Sequence, residues 1–448
     1  MLTKNNSTGR PGENVLIIRD VRITDPETDV DEQGDLVIAD GVVRGVGTDG
    51  AADELLQAGR CDVTMVDGEG LWAWPGLVDP HVHFREPGFT NKETFETGGR
   101  AAMRGGYTSV ICEPNTDPPL ADRGVIREVA DRAEQAAPVK MYFKGAMTAG
   151  RGGTELSDIE QLAREPAVVA LSDDGDPVVS ADLMREICRR AARVGLPLSP
   201  HCEDSDRALA AYRSGVDSGF VPDRPYWNET HYVERDCTLA ARYGTTVHFS
   251  HLSLPASVEA TRRPEGHFTC EVTPHHLLLS SDMYDEGECP VVNPPLRREN
   301  DRQGLCKALA EDRIDVIASD HAPHTNADKQ EGASGFVGLE TTLALVLTHF
   351  VHPGYMEASE AVRLLSSRPA RIFGLDAGNL ETGEPADVAI IDPDQEWTVR
   401  GHRMASRSRN TPFENAGLRG RTAGVIIDGG LEWASETLES RIQTRSNG

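Results

Sequence analysis

Residues 167–204 read AVVALSDDGDPVVSADLMREICRRAARVGLPLSPHCED. An apolar run ends in a polar turn, a helix-patterned stretch follows, and a second apolar run ends at His201. In the middle stretch the apolar residues return every three to four positions, which puts them on one helix face. A strand, a helix and a second strand in this order predict two parallel strands joined by a crossover. The same alternation extends in both directions. Strands are predicted at 75–83, 107–114, 139–146, 167–173, 196–202, 245–252, 267–274 and 313–320. Helix-patterned segments such as HYVERDCTLAARYG, residues 231–244, separate most of them. This pattern predicts an α/β chain built on a (β/α)8 TIM-like barrel over residues 73–375.

Outside that stretch the texture changes. VLIIRDVRI (15–23), DLVIADGVVRGVG (35–47) and VTMVDGEG (63–70) alternate short apolar runs with Gly and Asp turns. ADVAIIDP (386–393) and AGVIIDGG (423–430) repeat it near the end. Residues 14–72 and 376–435 are therefore expected to pair as a small β-sandwich. The tails, 1–13 and 436–448, are expected to fray.

Among the 448 residues, 45 are basic and 72 acidic, a formal charge of −27. At 38% hydrophobic and 26% charged, the composition is that of a globular protein. No apolar run reaches the roughly 18 to 20 residues of a membrane helix. The start, MLTKNNSTGRPGEN, lacks the apolar core of a signal peptide. So acidic a surface repels phosphate backbones, which argues against nucleic acid as a partner. A soluble, cytoplasmic protein is expected. Only six of the 45 basic residues are lysine. With the acid excess and few aromatics, this points to a halophilic surface, although a GC-rich genome would also exchange Lys for Arg. The eight cysteines include no CxxC pair and are expected to be reduced core residues.

Metal-capable side chains gather at the predicted C-terminal strand ends, the catalytic face of such a barrel. His81 and His83 are two apart, so a strand turns both the same way, and two imidazoles can chelate one divalent ion. Arg85 is in phase with them and can fork a carboxylate. Asn115 follows the second strand, either as an anion donor or as a turn former. Asp173 and Asp174 point to opposite sides, so one of them at most faces the mouth. No lysine lies between Lys144 and Lys307, which excludes a carbamylated lysine at this fourth strand end. His201 and His251 end the fifth and sixth strands and suit a second metal. By strand parity His248 points away from His251 and is expected to be structural, as are His275, His276 and His321. Asn293, before two prolines, either binds substrate or shapes its loop. Asp320 follows a mostly apolar run, where a carboxylate must be paired or ligated. It can hold a metal and move a proton. His324 follows one turn later. The composite predicts a hydrolytic one- or two-metal site acting on an amide-like bond.

DPHVHFREPG, EPNTDPP, SDDG, HCED, EVTPHH, NPPLR and SDHAPH, in this order, resemble the dihydroorotases of the amidohydrolase superfamily. Within them the likeness is to the branch with an aspartate in place of the carbamylated lysine. It covers the whole chain, including GEPADVAIID and SRNTPF. The resemblance implies reversible cyclisation of N-carbamoyl-L-aspartate to (S)-dihydroorotate and water, a step of de novo pyrimidine (UMP) biosynthesis. It implies a binuclear metal-hydroxide mechanism with two Zn2+ per subunit. His81 and His83 match ligands of the first metal, Asp174 the bridging carboxylate, and His201 and His251 ligands of the second. Asp320 matches the catalytic acid/base, also a first-metal ligand. His83, Arg85, Asn115, Asn293 and His324 match substrate contacts. Ser334 and Gly335, in SGFVGLE, match a loop whose backbone touches the ring. A homo-oligomer and association with aspartate carbamoyltransferase are further implied options. Two departures stand out. Glu113 replaces a common Met, placing an acid beside an anionic substrate unless it points outward. RPYWNETHYVERD, residues 224–236, is atypical. Alternative readings are another cyclic amidohydrolase of the allantoinase or hydantoinase type, or a non-catalytic scaffold subunit.

Overall fold

The computed structural model describes residues 14–47, 62–203, 229–285 and 287–445, together with Gly50 and Ala52. Alternating β-branched and polar residues make strands β1 (Asn14–Asp25), β2 (Val30–Ala39), β3 (Val42–Gly47), β4 (Asp62–Asp67) and β5 (Trp72–Pro75). After the barrel come β13 (Val388–Thr398), β14 (Gly417–Ile427), β15 (Gly430–Ala434) and β16 (Ile442–Arg445). All nine share one sheet, ordered β15-β14-β13-β5-β1-β2-β3, with β4 pairing both β1 and β16. β1 is bulged between Ile18 and Val21, pairing with β4 before the bulge and β5 after it. The sheet branches there, and both branches bury an apolar layer that includes Ile18, Leu36, Val66, Val388 and Ile426. The two ends of the chain thus form the β-sandwich domain.

Residues 436–445 depart from the expected frayed tail. A short helix, Glu436–Glu439, leads into β16, which pairs antiparallel with β4. Leu438 is fully buried, and Ile442 packs on the same apolar layer, so this segment hides too much apolar surface to fray. The expected tail at 1–13 lies outside the described residues.

The barrel strands are β6 (Leu77–Val82), β7 (Tyr107–Cys112), β8 (Lys140–Ala146), β9 (Val168–Ser172), β10 (Val247–Phe249), β11 (Phe268–Val272) and β12 (Val316–Ile317). β6-β7-β8-β9 and β10-β11-β12 are parallel sheets. Single bridges close the ring: Leu198 joins Leu171 and Val247, and Val82 joins His321. The fifth strand, expected over 196–202, is therefore one pairing residue long. Pro197 and Pro200 on either side have no N–H to give a ladder. The eighth is likewise shortened from 313–320 to two residues. Asp79, whose carboxylate takes the Ser319 amide, ends its pairing. Below the mouth, Val78, Ile111 and Ala170 line an apolar plug completed by Ala370, Phe373 and Leu375. The interior below the mouth is thus filled by apolar side chains.

Candidate metal centre

Three mouth residues adopt a left-handed backbone that only glycine takes without strain: Arg85 (φ 60°), His251 (φ 33°) and Asp320 (φ 45°). Each lies two to three residues past the end of its barrel strand, where the chain turns over the mouth. This turn corrects the parity argument for His248. β10 stops at Phe249, so counting alternate faces out to residue 251 fails. His248 points inward like His251, but one layer deeper.

The predicted cluster assembles with Asp174 at its centre. Asp174 Oδ1 lies 3.4 Å from His81 Nε2, and 3.3 Å from both His201 Nδ1 and His251 Nε2. Its other oxygen is 3.6 Å from His83 Nε2. Asp320 Oδ1 stands 3.2 Å from His83 Nε2 and 3.7 Å from His81 Nε2. Two donor triplets result, His81/His83/Asp174 and Asp174/His201/His251, each with its atoms within 4.8 Å of one another. Asp174 belongs to both. Asp173, the alternative, turns away to bond the Thr148 amide and hydroxyl. All six cluster residues are buried. His81 Nε2, deep inside, has no hydrogen-bond partner and faces carboxylates on every side. Four imidazoles and two carboxylates buried together, with two triplets meeting at Asp174, are a donor set for divalent cations, which would offset such crowding.

The amidohydrolase family profile matches residues 72–431. The chain belongs to the amidohydrolase family. It is 34% identical to the dihydroorotase of Acetivibrio thermocellus, the alignment covering 93% of this chain and 98% of that one. It is 39% identical to that of Brevibacillus brevis over 83% and 90%. Among solved structures, the L-hydantoinase (dihydropyrimidinase) of Arthrobacter aurescens superposes with TM-score 0.80 at 25% identity, covering 93% and 95% of the two chains.

Residues beyond these six orient the cluster, among them Glu271 and Arg151, which sequence reading missed. Glu271 accepts from His81 Nδ1 at 2.6 Å, His248 Nε2 at 3.0 Å and the His251 amide at 3.1 Å. It ties the donors of the two triplets together and leaves Nε2 of His81 as the free lone pair. Burial opposes its charge, but the His81 and His248 imidazoles hold its carboxyl well below the usual range. Its one sequence signal was a lone acid inside an apolar barrel strand. Asn115 Oδ1 accepts from His83 Nδ1 at 3.0 Å, and its amide lies 3.4 Å from Asp174. It thus serves two cluster residues directly. Arg151 reaches over the Asp173–Asp174 turn to the Asp174 carbonyl and, at 3.2 Å, the Asp176 carboxylate.

Glu113 does point inward, but its charge is met. Lys144, fully buried, donates to Glu113 and, at 2.8 Å, to Ser199 Oγ. Ser199 bonds Ser250, next to His251, at 3.0 Å. An ion pair without net charge therefore lies below the cluster, and its lysine is taken up there.

The remaining expected contacts form the rim. Arg85 donates to the Pro323 carbonyl, and its Nη2 lies 3.2 Å from His324 Nε2. Burial lowers the Arg85 pKa to about 10, still charged at neutrality. Lys92 approaches the other His324 nitrogen at 3.4 Å. Burial and the cations Arg85, Lys92 and Lys329 push His324 down to about 3, so it is neutral. Gly335 has φ 128°, and a Cβ there would meet Ala322 Cβ at 2.6 Å. Its carbonyl accepts from Asn410 and Lys329, fixing the loop that begins at Ser334. Asn293 is exposed on a loop anchored by His276 to the Pro294 carbonyl, and makes no hydrogen bond to the cluster among the described residues. His275, His276 and His321 are buried outside the two triplets, His321 against Glu93. The seven described cysteines are free. Residues 224–228 of the atypical stretch lie outside the described residues, and a helix, Glu229–Tyr243, holds the rest.

Proposed function

We propose that the protein is a dihydroorotase, a metal-dependent cyclic amide hydrolase interconverting (S)-dihydroorotate and N-carbamoyl-L-aspartate in pyrimidine synthesis. The observation that carries this reading is near-full-length identity to dihydroorotases, at 33–39%. The rim supports it. Dihydroorotate carries a carboxylate, whereas the hydantoin and allantoin rings do not, and Arg85, Lys92 and neutral His324 form a cationic edge beside the cluster.

His81, His83 and Asp320 would hold one Zn2+, His201 and His251 the other, with Asp174 shared. When bound, two such ions supply Lewis acidity toward the ring amide carbonyl and an activated water at neutral pH. Asp320, buried yet held well below the usual carboxylate range by the His83 and His81 imidazoles, enters the hydrolytic direction as a base. It takes the proton of the attacking water and returns it to the leaving ring nitrogen. In ring closure Asp320 takes the proton of the attacking carbamoyl nitrogen and gives it to the departing oxygen, which leaves as water. Arg85 and His324 hold the carboxylate so that the reacting carbonyl stays over the cluster. His83 and Asn115 border the same space, with Ser334, Gly335 and Asn293 on the opposite loops.

The same reading places the enzyme in the cytoplasm of a salt-adapted cell. No described helix is long and apolar enough to cross a membrane. Of the five described lysines, Lys144 is fully buried and Lys92, Lys140 and Lys329 are engaged in specific contacts; only Lys307, 76% exposed, is a plain surface lysine. Assembly into homo-oligomers or with aspartate carbamoyltransferase would suit the same step. Purified protein loaded with zinc and given dihydroorotate, hydantoin and allantoin in parallel tests the assignment. Loss of ring absorbance with dihydroorotate alone is expected. Turnover of hydantoin or allantoin in preference, or of none of the three, would overturn it.

A further inference from the structure

A second polar cavity, about 840 Å³, opens at the seam between barrel and sandwich and shares no residue with the metal centre. Arg104 enters it from the helix Phe95–Gly105, Arg403 from the segment after β13, and Arg421 from β14. The Arg421 guanidinium lies 4.8 Å above the Trp397 ring and has no carboxylate within salt-bridge distance among the described residues. Arg104 has only the Arg403 carbonyl at 3.3 Å and Glu340 at 4.0 Å. Glu340 is the one acid within the wall, and it is occupied. One of its oxygens takes the amides of Ala405 and Ser406, and burial lifts its pKa to about 7, so it is only partly ionised at neutrality. Glu396 and Glu436 stand exposed on the rim. Burial lowers the Arg421 pKa against the pull of Glu340, and repulsion from Arg104 and Arg403 lowers it further. The wall also holds Thr422, 2% exposed, whose hydroxyl has no hydrogen-bond partner.

Arg104 and Arg403 share this cavity with Arg421 and repel its guanidinium. In a chain of charge −27, where acids are abundant, gathering these arginines around the single buried carboxylate of Glu340 calls for a further anionic ligand. Planar forks of this kind suit the oxygens of phosphate groups, and several forks in one cavity suit more than one phosphate. We propose that this cavity binds a polyphosphate group, presented either by a nucleoside triphosphate or as inorganic polyphosphate. The site is separate from the catalytic mouth, so its occupancy does not compete with substrate.

The test uses the full-length, zinc-loaded protein in about 0.1 M KCl, with tripolyphosphate, ATP and citrate as probes. Calorimetry measures binding, and tryptophan fluorescence reports it through Trp397 and Trp433. Saturable binding of tripolyphosphate is expected, at least tenfold tighter than citrate and weakening with added salt. ATP tighter than tripolyphosphate assigns the site to nucleotides; ATP equal or weaker assigns it to inorganic polyphosphate. Arg421→Gln and, separately, the exposed Arg403→Ser should each weaken binding at least tenfold while leaving the thermal midpoint and basal turnover unchanged. Absence of binding, citrate bound as tightly, or unchanged affinity in whichever variants fold would overturn the proposal.

Discussion

Replacing Lys144 by methionine probes the pair beneath the metal centre. The ammonium and the Glu113 carboxylate are both fully buried, so removing one leaves a charge with neither solvent nor partner. Glu113 would face His81 Nε2 at 3.7 Å with its other oxygen already lacking a hydrogen bond. Breaking such a pair costs about 3–5 kcal/mol. At roughly 2 °C per kcal/mol for a large domain, the thermal midpoint should fall by about 6–10 °C. The Ser199 and Ser250 hydroxyls lose their anchor as well, so zinc content should drop with stability. Glu113→Met alone, leaving the ammonium unpaired, should cost a similar amount. The double variant Glu113→Met/Lys144→Met removes both charges and fills the same space with apolar side chains. Such replacements are often neutral, so it should recover to within about 1 kcal/mol of the parent. Scanning calorimetry at a fixed rate, with metal analysis on the same samples, reads all four proteins. Single variants as stable as the parent, or a double variant no better than the worse single one, would refute the reasoning.

Other consequences follow from the same geometry. Asp320→Asn should retain metal at near-parent content but lose turnover by about 10³-fold or more, since the proton carrier is gone; substantial residual activity would exclude its acid/base role. Arg85→Met should raise KM at least tenfold with a smaller effect on kcat, and an unchanged KM would remove Arg85 from the carboxylate site. His275 is buried with its pKa pushed to about 4, below the roughly 6.5 of an unfolded chain. The unfolded state therefore binds the extra proton, so this contribution is complete above pH 6.5 and is lost as pH falls toward 4, by up to about 1.4 kcal/mol per unit. His275→Gln should flatten the fall of the thermal midpoint between pH 6.5 and 5, and identical profiles would contradict this. Activity should persist or rise in molar KCl, and an enzyme that works best in dilute buffer would refute salt adaptation.

The strand-by-strand alternation and the histidines at strand ends were legible in the sequence because they are local. A strand turns residues i and i+2 to one side, so His81 and His83 announce their shared direction without any knowledge of the rest of the chain. Motif order carried the family. Local periodicity, however, holds only while the strand continues. At His251 the backbone turns left-handed just past β10, and parity misplaced His248. Pro197 and Pro200 reduced a predicted strand to one pairing residue, Leu198. Burial of Leu438 held an expected tail in place as β16. What only the tertiary structure decided are the long-range partners. Glu271 meets His81 across 190 positions, and Lys144 meets Glu113 across 31. The physical reason is common to these cases. The type of a charged residue fixes what it can do, but whether it is neutralised, ligated or left to repel its neighbours depends on which distant strand closes over it.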